Sequence, residues 1–245
     1  MNYSTIMTAV PSARLARTTP WRAFLQTCAL AGTSLILASR LAAAEPAVAS
    51  TPSDIWETFK TRRSVRNFKP DPVPEADLRR ILDAARSAPT SGNQQPWKFL
   101  VVRDSAKIAA LKEANVQRLL SQSDPQKTLS EEEKNKREIV IRSHLAGYFS
   151  APVYIVILTD NHSDYPDYNH WDGPMAAGYL MLAARALGYG TVFITDGIPD
   201  AVTRKVLNIP DRYTRVCITP LGVPVQWPQP PAKKPLEDFI AWETL

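Results

Sequence analysis

Residues 88–97 read Ala88-Pro89-Thr90-Ser91-Gly92-Asn93-Gln94-Gln95-Pro96-Trp97. Between the two prolines lie six consecutive polar or glycine residues, which indicates a rigid loop that exposes many hydrogen-bond donors and acceptors. Such a loop could read the edge of a flat heterocyclic ligand, and it could also be a plain connection between a helix and a strand. The segments on either side show which secondary-structure elements the loop connects.

A helix and a strand are predicted to flank this loop. The helix runs from about Pro74 to Ala88, because apolar residues recur there at helical spacing, namely Leu78, Ile81, Leu82 and Ala85. Pro89 ends it by disfavouring helical geometry at the preceding residue. The β-branched and aromatic content of residues 97–102 predicts a strand.

The rest of the chain continues this alternation of helices and strands. Thr51 and Pro52 read as the N-cap and first residue of a helix, and Ser130 with Glu133 reads as a capping box. Further helices are predicted over 107–120, 130–149, 174–187 and 200–207, and strands over 153–158, 191–194 and 216–221. We therefore predict a linker over 45–54 and one α+β domain with a central sheet over 55–245.

The net charge of +5 at first suggests nucleic acid as a partner. Four arginines and no acid lie in residues 1–44, however, which leaves 25 basic against 24 acidic residues in the remainder. A sequence-independent grip on phosphates needs many cations on one face, so the charge argues against a nucleic-acid partner.

Residues 1–44 have the order of a secretory signal peptide. Arginines at 14–22 precede the apolar stretch 24–37, and Ala42-Ala43-Ala44 offers a cleavage site. The stretch is too short for permanent membrane insertion. Residues 21–26 resemble a twin-arginine motif whose first arginine is replaced by Trp21, which predicts a periplasmic or otherwise exported protein. The alternatives are an ordinary Sec signal, or a misassigned start codon before a cytoplasmic enzyme.

Cys217 is the one cysteine outside residues 1–44, so the main body cannot form an intrachain disulfide. It lies in the apolar run Val216-Cys217-Ile218, which favours a buried small side chain over a nucleophile. The sequence also contains neither a dinucleotide-binding glycine fingerprint nor a phosphate-binding P-loop.

Two polar clusters remain to be explained. Residues 62–66 place three arginines and a serine just after a helix, which suits phosphate binding, although a solvated basic turn is the plainer interpretation. Aspartates and histidines crowd residues 160–172, where their irregular spacing favours a solvated loop over a metal site.

The chain resembles the FMN-dependent nitroreductase family in several motifs. Arg62-Arg63-Ser64-Val65-Arg66-Asn67-Phe68 is similar to the family's opening motif, and residues 88–97 are similar to its Pro-Ser-x-x-Asn-x-Gln-Pro-Trp loop. Residues 183–190 resemble its Ala-rich interior helix ending in Gly-x-Gly, and residues 208–210, 220–224 and 234–237 resemble its closing segments. These motifs occur in the family's order over about 55–245.

The resemblance implies a nitroreductase-like fold: a central, mainly antiparallel sheet flanked by helices, in a homodimer with FMN at the interface. It implies that the first motif holds the FMN phosphate and ribityl chain, with Arg66 also near the pyrimidine side of the ring. The second loop would contribute across the dimer interface, and the loop after residue 194 would offer backbone N–H groups to flavin N5 and O4. The implied cofactor-binding residues are Arg62, Arg63, Ser64, Arg66, Pro89, Thr90, Ser91, Asn93, Asp196, Gly197, Lys233 and Lys234.

The implied chemistry is hydride transfer through flavin N5, from a reductant to a small electron acceptor such as a nitroaromatic or quinone-like compound. NADH or NADPH is the implied co-substrate, and no catalytic side chain is named because the cofactor carries the difficult step. Export would separate the enzyme from both nucleotides, so the reductant would then differ or the enzyme would act before export. Alternatives are flavin breakdown, reductive dehalogenation or ring dehydrogenation on the same scaffold, and a flavin or metal-binding protein without turnover.

Overall fold

The computed structural model describes residues 51–245, so the predicted signal peptide and most of the predicted linker lie outside the described residues. The first helix within these residues, α1, spans Ile55–Thr61. Its N-cap is Asp54, whose side chain accepts a hydrogen bond from the Glu57 amide at 2.8 Å. The prediction that Thr51 and Pro52 begin this helix was therefore wrong, because Asp54 is the residue whose carboxylate reaches a free amide of the first turn.

Five further α-helices follow within residues 51–245: α2 (Glu75–Ala85), α3 (Ser105–Ser123), α4 (Glu131–Ala146), α5 (Asn169–Ala186) and α6 (Asp200–Leu207). The capping box of Ser130 and Glu133 is present at the start of α4, as predicted. Helix α5 begins five residues before the predicted start at Pro174, which lies inside it. Among residues 51–245, no helix is both long and apolar enough to cross a membrane.

The sheet has four strands: β1 (Trp97–Val102), β2 (Val153–Asp160), β3 (Gly190–Thr191) and β4 (Tyr213–Gly222). They are ordered β1-β2-β4-β3, and every pair is antiparallel, which confirms the predicted sheet. Strand β3 is shorter than the predicted 191–194; beyond Thr191 the chain meets β4 again only at a bridge between Ile194 and Ile218.

Both faces of the sheet are buried, and β2 shows this most clearly. Its residues Val153, Ile155 and Ile157 pack with apolar residues of α2 and α5, among them Ile81 and Leu180. Its alternate residues Tyr154, Val156 and Leu158 belong to a second cluster that includes Leu111 of α3 and receives side chains of α6. The domain is therefore an α+β structure in which the continuous apolar run of β2 lies between two layers of helices.

Candidate functional site

The arginine-rich segment 62–66 lies along the edge of the sheet. Ser64 forms a parallel bridge with Thr191, and the Val65 amide donates to the Thr191 carbonyl at 2.9 Å. Val65 is only 1% exposed and packs in the core. Because side chains alternate along an extended chain, Ser64 and Arg66 face away from that core. The local fold thus presents a hydroxyl and a guanidinium side by side, and Arg66 is exposed.

Two nitrogens of the Arg63 guanidinium differ in their hydrogen bonding. Its Nη1 donates to the carbonyls of Lys60 (2.6 Å) and Arg62 (2.8 Å), which satisfies acceptors at the end of α1. Its Nε is buried and has no hydrogen-bond acceptor among residues 51–245. A buried donor without an acceptor is costly, so an acceptor supplied by a ligand would stabilise this arrangement.

Arg185 lies beside this segment and was not predicted as a site residue. Its Nε donates to Thr61 Oγ1 at 3.0 Å, and its guanidinium carbon lies 4.1 Å from the ring centroid of Trp227. Burial lowers the pKa of Arg185; the nearby cation of Arg63 also lowers it, whereas Glu57 raises it. The Trp227 Nε1 is a second buried donor with no acceptor in the described part of the chain. The end of α1 is therefore rich in positive charge and in unused donors.

Loop 195–198 follows β3. Segment 62–66 runs parallel to β3, so the two chains lead towards the same end of the sheet. The carbonyls of the loop are occupied by two arginines: Arg215 donates to the carbonyls of Thr195 and Ile198, and Arg118 to that of Gly197. Burial lowers the pKa of Arg118, while the nearby Asp196 carboxylate raises it. Within residues 51–245, no hydrogen bond uses the amide N–H of Asp196 or of Gly197, and both residues are exposed. The loop therefore exposes two amide donors, whereas three of its carbonyl acceptors are bound by arginines.

The loop 89–96 is fixed to the start of α5. Asp172 accepts hydrogen bonds from the Gln94 side chain at 2.7 Å and from the Ser91 amide at 3.1 Å. Gly92 has φ +57° and packs against Tyr165, so close that a Cβ at this position would lie 2.5 Å from the ring. Gln94 turns inwards, so the loop exposes fewer polar groups than predicted. Asn93 and Gln95 are exposed and also have positive φ.

A family comparison identifies the scaffold that carries these groups. Residues 59–223 match the model of the nitroreductase family, which is more than half of the chain. The chain belongs to the nitroreductase family. This membership confirms the predicted family, fold class and enzyme class, an FMN-dependent oxidoreductase.

Individual nitroreductase-family proteins are similar to this chain over most of its length. A 5,6-dimethylbenzimidazole synthase of Rhodospirillum rubrum is 28% identical over 195 residues, covering 76% of this chain and 87% of that protein. An NADH dehydrogenase of Thermus thermophilus is 29% identical over 209 residues, covering 74% of this chain and 92% of that protein. A solved structure of oxidised iodotyrosine deiodinase bound to FMN and 3-iodo-L-tyrosine has 25% identity and a TM-score of 0.57, covering 78% of this chain and all of that one.

The structure of this nitroreductase-family chain brings some predicted site residues together and leaves others apart. Arg62, Ser64 and Arg66 lie on the segment that runs along β3, and Asp196 and Gly197 lie on the loop that follows β3. The residues Pro89 to Asn93, in contrast, are attached to the start of α5. Lys233 and Lys234 are exposed on the C-terminal tail beyond Trp227.

Three of the aspartates and histidines of 160–172 make separate side-chain contacts in this domain. Asp160 pairs with Arg212, and Asp172 is buried and holds loop 89–96. The His170 ring contacts that of Trp171, with ring centroids 3.9 Å apart and ring planes tilted by 45°. The prediction of a solvated loop through Asp172 was wrong for residues 169–172, which form the first turn of α5. Among the residues that the structure describes, no three His, Cys, Asp or Glu side chains form a group that could hold a metal ion.

Proposed function

We propose that this protein binds FMN and transfers hydride from NADH or NADPH to a small electron acceptor, such as a nitroaromatic or quinone-like compound. The observation that supports the proposal best is the alignment of segment 62–66 with β3, which sets a cationic, donor-rich segment beside the strand that leads into a loop with two unpaired amides. An FMN molecule has a phosphate at one end and a flat ring with acceptor atoms at the other, and it needs these two kinds of partner.

The phosphate end of FMN is assigned to the first segment. Guanidinium groups bind phosphate oxygens with charge-assisted, often bidentate, hydrogen bonds, which suits Arg62, Arg63 and Arg66, with the Ser64 hydroxyl as a further donor. The buried Nε of Arg63 gains an acceptor in this arrangement. The exposed Lys233 and Lys234 are proposed to add a second cationic contact from the tail.

The ring end of FMN is assigned to the unpaired amides of Asp196 and Gly197, which would donate to acceptor atoms of the flavin edge. Bound FMN supplies hydride transfer through its N5 atom, so the protein needs no side-chain acid or base for this step. The residues of the chain then bind and orient the cofactor and leave one face open to reductant and acceptor.

A homodimer is part of the proposal, because the described chain leaves two apolar faces uncovered. Trp171, Met175 and Tyr179 form an exposed stripe at intervals of four residues on α5, a helix whose other faces are mostly buried. Ile55, Trp56 and Phe59 are exposed on α1. Apolar surface of this extent is typical of a protein–protein interface. Such an interface would let Pro89, Thr90, Ser91 and Asn93 contribute to the cofactor site of the partner subunit.

The relatives leave several reactions open on this scaffold. One similar protein is a 5,6-dimethylbenzimidazole synthase, and another is an iodotyrosine deiodinase bound to FMN and 3-iodo-L-tyrosine. Flavin breakdown and reductive dehalogenation are therefore retained as second candidates for this chain. The proposed export of the mature protein bears on the reductant, because a protein outside the cytoplasm would have to receive electrons from a donor other than NADH or NADPH.

An absorption spectrum of the purified protein tests the cofactor, and anaerobic additions test the reaction. We expect a yellow protein that releases FMN, and not FAD, on denaturation. NADH, NADPH and dithionite are then added separately without oxygen, followed by a nitroaromatic, a quinone or an iodotyrosine to the reduced protein. A colourless protein that takes up no added FMN would refute the proposal. Bleaching by dithionite alone would refute the nucleotide as reductant, and the acceptor that restores the colour fastest selects among the reactions.

A further inference from the structure

Two arginines hold the carbonyl groups of loop 195–198. Arg215 donates from Nη2 to the Thr195 carbonyl at 2.8 Å and from Nη1 to the Ile198 carbonyl at 2.8 Å. Arg118 donates from Nη2 to the Gly197 carbonyl at 3.2 Å. Three of the four carbonyls in this short loop therefore point towards guanidinium groups, although the two arginines come from a helix and a strand far apart in sequence.

Both arginines are themselves held in place. The Arg215 side chain is 8% exposed, and it also contacts Thr203 Oγ1 at 3.0 Å and the Asp200 carboxylate at 3.3 Å. Burial lowers the pKa of Arg215, and Asp200 opposes this shift, but an arginine keeps its charge at any working pH. Arg118 is anchored by two hydrogen bonds to the side chain of buried Asn115, at 3.1 and 3.0 Å. The loop carbonyls thus meet fixed, charged donors.

The planarity of the peptide bond converts a fixed carbonyl into a fixed N–H. In a trans peptide the C=O of one residue and the N–H of the next point in opposite directions, and this chain has no cis peptide among its described residues. Because Arg215 holds the Thr195 carbonyl, the Asp196 N–H must point away from Arg215. A charged donor on the carbonyl also polarises the peptide group and makes its N–H a stronger donor.

We propose that Arg215 is a positioning residue, which fixes and polarises the Thr195–Asp196 peptide so that the Asp196 N–H is presented to an acceptor atom of the bound flavin. This inference rests on the proposed FMN site. Arg118 supports the same loop from its other side through the Gly197 carbonyl. The planar fork of arginine suits the task, because one guanidinium reaches the Thr195 and Ile198 carbonyls together, whereas a lysine would contact them as a single point charge.

Arg204 provides a matched control for Arg215. It pairs with the same Asp200 at 2.7 Å, and it donates to two backbone carbonyls, those of Pro210 and Tyr213. It differs in that these carbonyls lie outside loop 195–198. Arg204→Gln therefore removes a similar set of hydrogen bonds and a contact to the same carboxylate, but it leaves the Thr195–Asp196 peptide held by Arg215.

The test compares full-length wild type with Arg215→Gln, Arg215→Lys and Arg204→Gln by three measurements. These are the dissociation constant of FMN, the midpoint potential of the bound flavin, and hydrogen exchange of amides 195–198 in the FMN-loaded protein, where the flavin is expected to protect the Asp196 N–H. We expect Arg215→Gln to weaken FMN binding about tenfold more than Arg204→Gln does, roughly the effect of one charge-assisted hydrogen bond. It should also shift the potential and speed exchange in the loop, and Arg215→Lys should recover part of each effect.

The outcomes separate this inference from the proposed function. Wild-type protein that binds no FMN would refute the proposed function and this inference with it. Wild type that binds FMN, with equal losses in Arg215→Gln and Arg204→Gln and an unchanged potential, would overturn the positioning role alone. Faster exchange in Arg215→Gln without any change in FMN affinity or potential would also overturn it, because the loop would then be held for stability only. If Arg215→Gln does not fold, the same comparisons are made with Arg215→Lys.

Discussion

The side chains of Gln94 and Asp172 are joined by a 2.7 Å hydrogen bond between residues 78 positions apart in the sequence. The same carboxylate accepts a hydrogen bond from the Ser91 amide at 3.1 Å, and Asp172 is only 4% exposed. One buried acceptor therefore sets the shape of loop 89–96 and ties it to the first turn of α5. These hydrogen bonds constrain the loop in addition to the two prolines that bound it.

Replacing Asp172 should both destabilise the domain and loosen the loop. Asp172→Ala leaves the half-buried Ser91 amide without its acceptor, which costs about 1–3 kcal/mol of unfolding free energy for the unsatisfied group. It also removes the shortest of three hydrogen bonds that the Gln94 side-chain amide donates, the other two going to Tyr165 and Asn169. Chemical denaturation measures the loss, and FMN titration measures the effect on the proposed site. Asp167→Ala is the control, because Asp167 belongs to the same stretch but is exposed. Equal stability of the two variants would contradict the role given to Asp172.

Removing one cation of the first segment should weaken FMN binding. We expect Arg62→Ala to raise the dissociation constant by roughly tenfold to a hundredfold, because a hydrogen bond to a charged group contributes about 1.5–3 kcal/mol. Lys69→Ala is the control, since Lys69 is an exposed cation seven residues further along the chain. Quenching of flavin fluorescence on titration gives both constants. Arg62 is a cleaner choice than Arg63, whose Nη1 also satisfies carbonyls at the end of α1.

Cys217 should be unreactive in the folded protein. It is fully buried between the sheet and its helices, as predicted, and burial raises the pKa of its thiol to about 12. Thiol reagents attack the thiolate, which is then scarcely populated at pH 8. A form that starts at Glu45 should therefore show no reactive thiol when native and one per chain after denaturation. Rapid labelling of the native protein would show that this part of the core opens readily.

The proposed dimer should depend on the exposed stripe of α5. Met175 is 44% exposed in the described chain, and burying a carboxylate in an apolar interface is costly, so Met175→Asp should shift the protein to monomers. The variant should also lose most of its FMN if the partner subunit completes the site. Ile139→Asp is the control, because Ile139 is an exposed apolar residue on α4. Light scattering that finds a flavin-loaded monomer of the wild type would contradict the proposal.

The parts of the fold that could be predicted are those whose signals are local. The strand 97–102 and the buried stripe of α2 follow from side-chain pattern alone, and both are present as predicted. The start of α5 was misplaced because Gly173-Pro174 resembles a helix beginning. In the structure, buried Asn169 and Asp172 hold the earlier turn through hydrogen bonds to Asp160 and to Gln94, and such distant partners leave no local signal.

In the candidate site, too, local signals could be read from the sequence and contacts between distant residues could not. The cationic segment 62–66 could be named as a candidate from its continuous motif, and the loop after β3 from its place after a predicted strand in the family that the sequence resembles. The arginines that hold this loop could not, because Arg118 reaches Gly197 across 79 positions and Arg215 reaches Thr195 across 20. One signal was nevertheless present. An arginine directly before the apolar run Val216-Cys217-Ile218 is a charge at the start of a buried strand, and such a charge needs several partners.

The N-terminal segment predicts where the protein resides. We expect cells to contain a mature form that begins near Glu45 and lies outside the cytoplasmic membrane, because basic, apolar and small residues follow one another over 14–44 in the order of an export signal. Sequencing the N-terminus of protein from fractionated cells measures this directly. A chain that lacks residues 1–44 is the control and should remain in the cytoplasm. If export follows the twin-arginine route, Arg22→Lys should reduce it, since Trp21 already replaces the other arginine. Intact protein that starts at Met1 in the cytoplasm would refute the signal, and NADH or NADPH would then be within reach of the site.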